Sequence, residues 1–486
     1  MSMRRRLWRA ALLTALPLAL AACALPRPAG PTPEQVTAVA PQRWQAPLPH
    51  NGTLTDLTQW WQQLGDPLLV ELIAATQEVS PTMAGARARI AQARSMRVGA
   101  GAALLPNADA FASANRGFTE QLGRVATTAQ LGVQASWELD LFGGNQAARE
   151  AAQARYEGAQ ADWHDARVSV AAEVANLYFN LRNCERLLAV VRFDARSRAE
   201  TARLTGLMTR AGFQAPASHA LARASNAEGA VRVTQQRGQC DLDVKALVAL
   251  TSLDEERLRQ RLSEAPASMG RPADWTIATL PASVLAQRPD IFRAERELLA
   301  ARADIGSAEA QRYPRLSLNG AIGTGYLRAD GVGTQVATWS IGPVTVSLPL
   351  FDGGRRAAQV DAAQARYDEA AVLYRARARQ AVREVEEALV QLQSTGERTG
   401  NALTASEGYR EAFNATEARY KSGLASLVEL EDVRRLALAA ETSLLGLQRA
   451  RMAAWVSLYR AAGGGWTEAS AGPRLDTPPP ASATRP

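Results

Sequence analysis

The chain has 486 residues, too many for one compact core of ordinary size and enough for two or three domains or one elongated body. Its formal charge of +7 comes from 55 basic against 48 acidic side chains spread along the chain, without the clustered basic stripe of a nucleic-acid binder, so nucleic acid is excluded as a partner. The three histidines, His50, His164 and His219, lack metal-ligand spacing and read as surface residues, and no Gly-x-Ser-x-Gly elbow or phosphate-binding glycine loop occurs. Nothing implies an enzyme, a cofactor or a metal site.

At the N-terminus, Arg4, Arg5 and Arg6 precede an apolar run from Leu7 to Ala22, which predicts a signal peptide over residues 1–22. A transmembrane anchor is the alternative, but the run is short of the roughly 20 residues a spanning helix needs. The ending Leu20-Ala21-Ala22-Cys23 resembles the lipobox of bacterial lipoproteins, which makes Cys23 the expected lipid anchor; an ordinary signal-peptide cysteine is the other reading. Ala24 stands where that class carries an inner-membrane-retaining Asp, so the resemblance points to outer-membrane lipid. No apolar stretch of 18 or more residues follows. Any crossing of a membrane by the mature chain must then use a β-barrel.

An internal repeat organises the rest. Leu141-Phe142-Gly143-Gly144 followed by Ala152-Gln153-Ala154-Arg155-Tyr156 recurs as Leu350-Phe351-Asp352-Gly353-Gly354 followed by Ala363-Gln364-Ala365-Arg366-Tyr367, an offset of 211 at the tyrosines (367 − 156). Gly212 and Gly423 keep that offset, and Pro106 and Pro314 are 208 apart. The predicted organisation is a lipidated N-terminal segment over 23–65, a first repeat over 66–252, an equatorial connector over 253–282, a second repeat over 283–462 and a flexible tail over 463–486.

Within the first repeat, Gln130 to Leu141 alternates apolar and polar residues, a half-buried strand with a hairpin partner near Asn107 to Arg116. The second repeat offers Leu316 to Tyr326 and Thr338 to Leu350, where Gly342-Pro343 breaks the alternation as a bulge or edge position would. An ordinary sandwich would use similar strands, yet one apolar and one polar face also suit a barrel wall between lipid and water. Four strands cannot close a barrel, whereas three chains supply twelve.

No proline interrupts Gly144 to Gly212 or Gly354 to Gly423. Alanine, Arg, Glu, Gln and Leu fill both intervals, so each predicts a long helix, up to roughly 100 Å if continuous. Shorter return helices are expected over about 217–250 and 427–458, giving antiparallel hairpins; a tube of such helices, or a bundle or solenoid without a pore, would satisfy this pattern. Cys184 and Cys240 each lie 28 residues from Gly212 (212 − 184 and 240 − 212), which puts them at one height. In an oxidising periplasm they are expected to form a disulfide, with two buried free thiols as the alternative.

Leu285-Ala286-Gln287-Arg288-Pro289-Asp290-Ile291, with Ala294-Glu295 and Ala301-Arg302-Ala303-Asp304-Ile305-Gly306, resembles the signature of the TolC-type outer-membrane efflux family in its lipoprotein, NodT-like branch. Trp60-Trp61, Asp66-Pro67-Leu68 and the Leu350 to Gly354 turn carry the same resemblance. It implies a mainly α fold with a small β part. Long helical hairpins would form a periplasmic α-barrel, and four strands per chain would contribute to a trimeric, 12-stranded transmembrane β-barrel. It further implies a homotrimer serving as the exit duct of a tripartite pump for drugs or other small molecules, with a periplasmic adaptor and an inner-membrane transporter as partners. A duct for a protein or metal exporter, and a pore-less coiled-coil lipoprotein, stand as alternatives. By the same resemblance the periplasmic tip is the closed end. Glu429 and Asp432, after the Tyr420-Lys421-Ser422-Gly423 turn and on one helix face, are the candidate pore gate, although a solvated acidic face would look alike. The arginine some members carry just after the turn glycine is replaced by Ala425 and Ser426. Gly212, Phe213, Gly423 and Leu424 match the tip turns that meet the adaptor, or are turn glycines with a packing hydrophobe.

Overall fold

Glycine and proline punctuate the alanine-rich chain at nearly every element boundary. The computed structural model describes residues 60–120, 122–265 and 288–466; the predicted signal peptide, Cys23 and most of the N-terminal segment lie outside them. In chain order the elements are α1 (Trp60–Gln63), α2 (Pro67–Val79), α3 (Pro81–Ala102), β1 (Asn107–Thr119), β2 (Arg124–Leu139), α4 (Gly144–Arg210), α5 (Pro216–Thr251), α6 (Glu255–Glu264), α7 (Pro289–Ala310), β3 (Arg315–Ala329), β4 (Val332–Ser347), α8 (Arg355–Lys421) and α9 (Leu427–Ala461). The two long helices are unbroken, 67 residues each. None of the described helices is long and apolar enough to cross a membrane. The described residues fall into two compact units, one of 88–160 with 292–376 and the other holding the remainder. Each unit draws on both repeats, so compactness does not follow the repeat boundaries.

The first unit is built on one antiparallel sheet in the order β1-β2-β3-β4. The strands run longer toward their hairpin turns than alternation predicts, because Arg124 to Ala129 and Val332 to Ala337 pair fully although their residues mix small and polar types. They also stop short of the predicted ends, β2 at Leu139 and β4 at Ser347, so Leu141 and Leu350 belong to the turns. Period-2 geometry places Ala110, Val133, Ile322 and Trp339 side by side across the four strands on one face. Opposite that face lie Asp109, Gln134, Ala321 and Ser340. The cis Gly342-Pro343 peptide sits where two β4 residues oppose Asn319. Apolar residues stand at odd numbers before this bulge (Trp339, Ile341) and at even numbers after it (Val344, Val346), and all share the face of Leu316, Leu318 and Ile322. The extra residue therefore restores the apolar side rather than ending the strand.

The second unit is helical. Trp60 and Trp61 pack on Trp455 and Tyr459 at ring separations of 4.7 to 5.9 Å, anchoring the start of the described chain on the end of α9. Asp66 caps α2 through the Leu69 amide and accepts a 2.6 Å hydrogen bond from the buried Tyr178 hydroxyl. The predicted connector over 253–282 contains a helix, α6, whose Leu258 and Leu262 are buried while Arg261 pairs with Glu71 of α2; residues 266–282 lie outside the described part. The tail predicted flexible from 463 begins with a packed turn: Trp466 is buried and lies 6.2 Å from the His164 ring, and the rest is outside the described residues. His164 is itself buried, not on the surface as expected, because it faces Trp163 and Trp466.

Arg288, the arginine of the signature, is buried at the start of α7. It donates to both carboxylate oxygens of Asp290 (2.9 and 2.8 Å), to Glu384 of α8 (2.7 Å) and to the Ala461 carbonyl ending α9 (2.9 Å). Burial alone would raise the Asp290 carboxyl; the Arg288 hydrogen bonds and charge outweigh it and hold it below its ordinary range. Arg288→Leu strands the half-buried Asp290 carboxylate and the Ala461 carbonyl and is expected to destabilise the helical unit by about 3 kcal/mol. A thermal melt of the purified protein with an unchanged midpoint would refute this.

Cys184 of α4 and Cys240 of α5 form a disulfide with Cα atoms 5.6 Å apart. On the chain-entropy account, a loop of this separation of 56 residues is worth about 4 kcal/mol against the reduced chain. Non-reducing peptide mapping should recover the two cysteine peptides linked, and recovery of both as free thiols would overturn the bond.

Candidate functional site

The two long helices end in the same motif. At Gly212 (φ 82°) the Phe213 amide donates to the Met208 carbonyl and the Gly212 amide to Thr209; at Gly423 (φ 77°) Leu424 donates to Arg419 and Gly423 to Tyr420. Both glycines occupy the left-handed conformation that ends a helix and that L side chains resist. Pro216 then starts α5, and Ser426 caps α9 by accepting the Glu429 amide. A 2.6 Å hydrogen bond between the Thr205 and Tyr420 hydroxyls brings the turns to the same end of the helical unit. Phe213 and Leu424 project there with 80% and 71% of their surface exposed, although Phe413, Tyr420, Leu427 and Leu430 bury a core just behind them.

Glu429 and Asp432, the predicted gate, both lie at the surface of α9 and each holds an arginine. Arg419 bridges Glu429 at 2.8 Å and reaches the Leu424 carbonyl at 3.0 Å, closing the turn from the α8 side. Asp432 pairs at 3.2 Å with Arg435 of its own helix, both well exposed, an arrangement worth little in water.

Glu431, between the two, faces the other helices and enters a larger network with Arg434. Glu431 of α9 accepts from Arg198 of α4 (2.8 Å), from Ser225 of α5 (2.9 Å) and from Arg434 of its own helix. Arg198 also holds Asp194 (2.8 Å), and Arg434 reaches the Thr201 hydroxyl (2.8 Å) and Ser197 (3.1 Å). Ser197 donates to Glu417 of α8 at 2.7 Å, so four helices meet in one network of two buried arginines, the buried Asp194, the half-buried Glu431 and Glu417, and their hydroxyl partners. Burial pushes the Arg434 guanidinium below its ordinary value despite Glu431. Glu417 goes the other way: burial would raise it, but Ser197 and Lys421 hold it below the usual carboxylate range. The only sequence signals for this network are the spacings Asp194-x-x-x-Arg198 and Glu431-x-x-Arg434, which any solvated helix could carry.

Among the described residues no cluster of His, Cys, Asp and Glu could hold a metal ion. The family profile described as "Outer membrane efflux protein" matches residues 72–252 and 280–464, one repeat in each match. The chain belongs to the outer membrane efflux protein family. Among its relatives, the pyoverdine export outer membrane protein OpmQ of Pseudomonas aeruginosa is 29% identical over 470 residues, covering 92% of this chain and 96% of the relative. Outer membrane protein OprJ of the same organism is 30% identical over 476 residues, covering 93% and 95%. The solved outer-membrane channel OprN superposes with a TM-score of 0.76 at 28% identity, covering 88% of this chain and 98% of that one. The mostly helical fold with one four-stranded antiparallel sheet is that of the TolC-like channels, and this chain is an outer-membrane efflux channel subunit.

Proposed function

We propose that three copies of this chain form the exit duct of a tripartite efflux pump, with a non-enzymatic role. Each copy would lend four strands to a closed 12-stranded barrel in the outer membrane. The observation that carries this reading is the sheet itself. Among the described residues neither edge strand has a partner, and the apolar face, Leu131, Val133, Ile322, Trp339, Ile341 and Val346, is exposed. Such a sheet is stable only in an environment that is dry on one side and with its edges paired. Strands of 13 to 16 residues exceed the roughly 9–11 a tilted strand needs to cross a bilayer.

The helix turns would form the periplasmic tip, with Phe213 and Leu424 presented to an adaptor bound in turn to an inner-membrane transporter. Three copies of the Glu429–Arg419 and Asp432–Arg435 ion pairs would line the entrance, and the network of the half-buried Glu431 would hold it shut by keeping α9 against α4. Relatives named for pyoverdine export support small organic solutes as cargo, chosen by the pump rather than the duct. Cys23 would tether the chain to outer-membrane lipid. Planar-bilayer recording on the purified protein, with a denaturing gel for a heat-sensitive trimer, tests the reading; neither conductance nor trimer would end it. Crosslinking from Leu424 in cells identifies the adaptor.

A further inference from the structure

The sheet face that carries Val133, Ile322 and Trp339 holds charge at two strand positions only among the described residues, Arg116 of β1 and Arg328 of β3. Register puts both in one row: Arg116 lies beside Thr127 of β2, and Thr127 beside Arg328. Two strand spacings separate their Cα atoms, roughly 10 Å. Both side chains are exposed, and neither guanidinium has a hydrogen-bond or ion-pair partner among the described residues. The other arginines of β2 and β3, Arg124 and Arg315, stand on the opposite face, and Arg124 is taken by Asp330.

Depth along the strand gives the row its meaning. Leu316 opens the apolar side of β3, and Arg328 follows twelve residues later (328 − 316 = 12). At about 3.4 Å per residue and a tilt near 40°, that span rises roughly 30 Å, one hydrocarbon thickness. The arginines therefore sit at a membrane surface, beside the hairpin turns and away from the strand ends that join the helices. At the other surface the face ends in Trp137, Leu139, Leu316 and Val346, without a charge. Arginine facing lipid costs most at the midplane and little at the interface, so this row is where a barrel can carry it. Tyr326 stands on the same face next to the row, and its ring lies across Gly333, where a Cβ would collide with the phenol hydroxyl. Such an amphipathic ring belongs at headgroup depth. Past the arginines the face continues through the paired Phe118 and Val125, 67% and 54% exposed.

We propose that Arg116 and Arg328 bind the phosphate groups of an acylated, phosphorylated glycolipid in the outer leaflet, with Thr127 between them and a sugar ring over Phe118. A guanidinium takes phosphate through parallel N–H donors, and no acid on this face competes for it. The acyl chains would lie along Leu131, Val133 and Ile322. A phospholipid carries at most a small polar group past its phosphate, whereas a glycolipid brings sugar rings whose apolar faces stack on an aromatic side chain. Phe118, outside the arginine row, fits the second. The site rests on the barrel reading above, which decides that this face meets lipid and that the hairpin turns point outward.

The test titrates the purified full-length trimer with bis-phosphorylated lipid A, with lipid A stripped of both phosphates and with phosphatidylglycerol, counting bound lipid by native mass spectrometry. The unaltered protein should hold bis-phosphorylated lipid A at least about tenfold more tightly than either of the others, and Arg116→Gln with Arg328→Gln should remove that preference. Arg116→Lys with Arg328→Lys should keep the greater part of it, and Arg124→Gln, on the opposite face, all of it. Equal lipid A binding by the double Gln variant and the unaltered protein overturns the site. Phosphatidylglycerol bound as tightly as lipid A does so too, since the surface would then attract any anionic lipid. Should the Gln variant not assemble, a benzoylphenylalanine at Phe118 alone keeps the aromatic ring. Its photoadduct in outer membranes must be the glycolipid, and an adduct with phospholipid, or none, refutes the proposal. A trimer without the lipid A preference overturns the site and leaves the barrel standing; an unaltered protein that forms no trimer ends both.

Discussion

Glu431→Gln is expected to open the tip. The substitution keeps the shape of the side chain but removes the carboxylate that Arg198 and Arg434 share, so that the buried Arg434 loses its ion-pair partner while Arg198 keeps Asp194. Removing one partner of a buried ion network typically costs about 3–5 kcal/mol. Roughly 1.4 kcal/mol is a factor of ten, so the balance between closed and open tip should move by about 10² to 10³. The measurement is open-state occupancy of the purified channel in planar bilayers, alongside entry of a large antibiotic into cells. The heat-sensitive trimer should be unaffected, because the sheet unit is untouched. Asp432→Asn serves as the control: its partner Arg435 is exposed, and the pair is worth at most about 1 kcal/mol. Glu429→Gln should fall between the two, since Arg419 also secures the turn through the Leu424 carbonyl. Equal effects from Asp432→Asn and Glu431→Gln would show that the exposed acids, and not the buried network, hold the tip closed.

Val133→Arg is expected to abolish assembly in the outer membrane. Val133 lies mid-strand in β2, between Ala110 and Ile322 on the apolar face. An arginine facing lipid near the bilayer midplane costs about 2–4 kcal/mol in each chain, and the ring would carry three. Gln134→Arg, one residue on and across the sheet, faces the polar side and should be tolerated. Density-gradient fractionation and the yield of heat-sensitive trimer separate the outcomes. Normal trimer from Val133→Arg would mean that this face does not meet lipid, and the barrel reading would fall with it.

The periodicities decided most of the architecture. The absence of proline between Gly144 and Gly212 allowed a single helix, and the structure has one. Gly212 and Gly423 were legible as turns because a left-handed residue without a Cβ is the simplest way to stop so long a helix. Strand limits were less legible. Pairing through Arg124 to Ala129 depends on a neighbouring strand being present, and the alternation there is weak. The bulge at Gly342-Pro343 could be located from the broken alternation, but its effect of returning Val344 and Val346 to the apolar face needs the register against β3.

The candidate gate divides in the same way. Glu429 and Asp432 were reached by their position after a recognisable turn, and both proved to be surface residues with arginine partners. Glu431 and Arg434 have nothing in the sequence but their helical spacing. What makes them a site is Arg198, more than two hundred residues earlier, along with Ser197, Thr201 and Ser225. Helical spacing says which residues share a face, yet not which face of which other helix it meets.

By itself the sequence determined a twofold repeated body of long helices and short hairpin strands, with two cysteines at one height and turns at fixed offsets. These are consequences of local conformational preference and of chain length between breaks, which one chain carries residue by residue. Only the tertiary structure decided which charges are buried and that Arg288 ties the start of α7 to the middle of α8 and the end of α9. Burial and ion pairing depend on what packs opposite, and that is a property of the assembled helices and strands rather than of any segment.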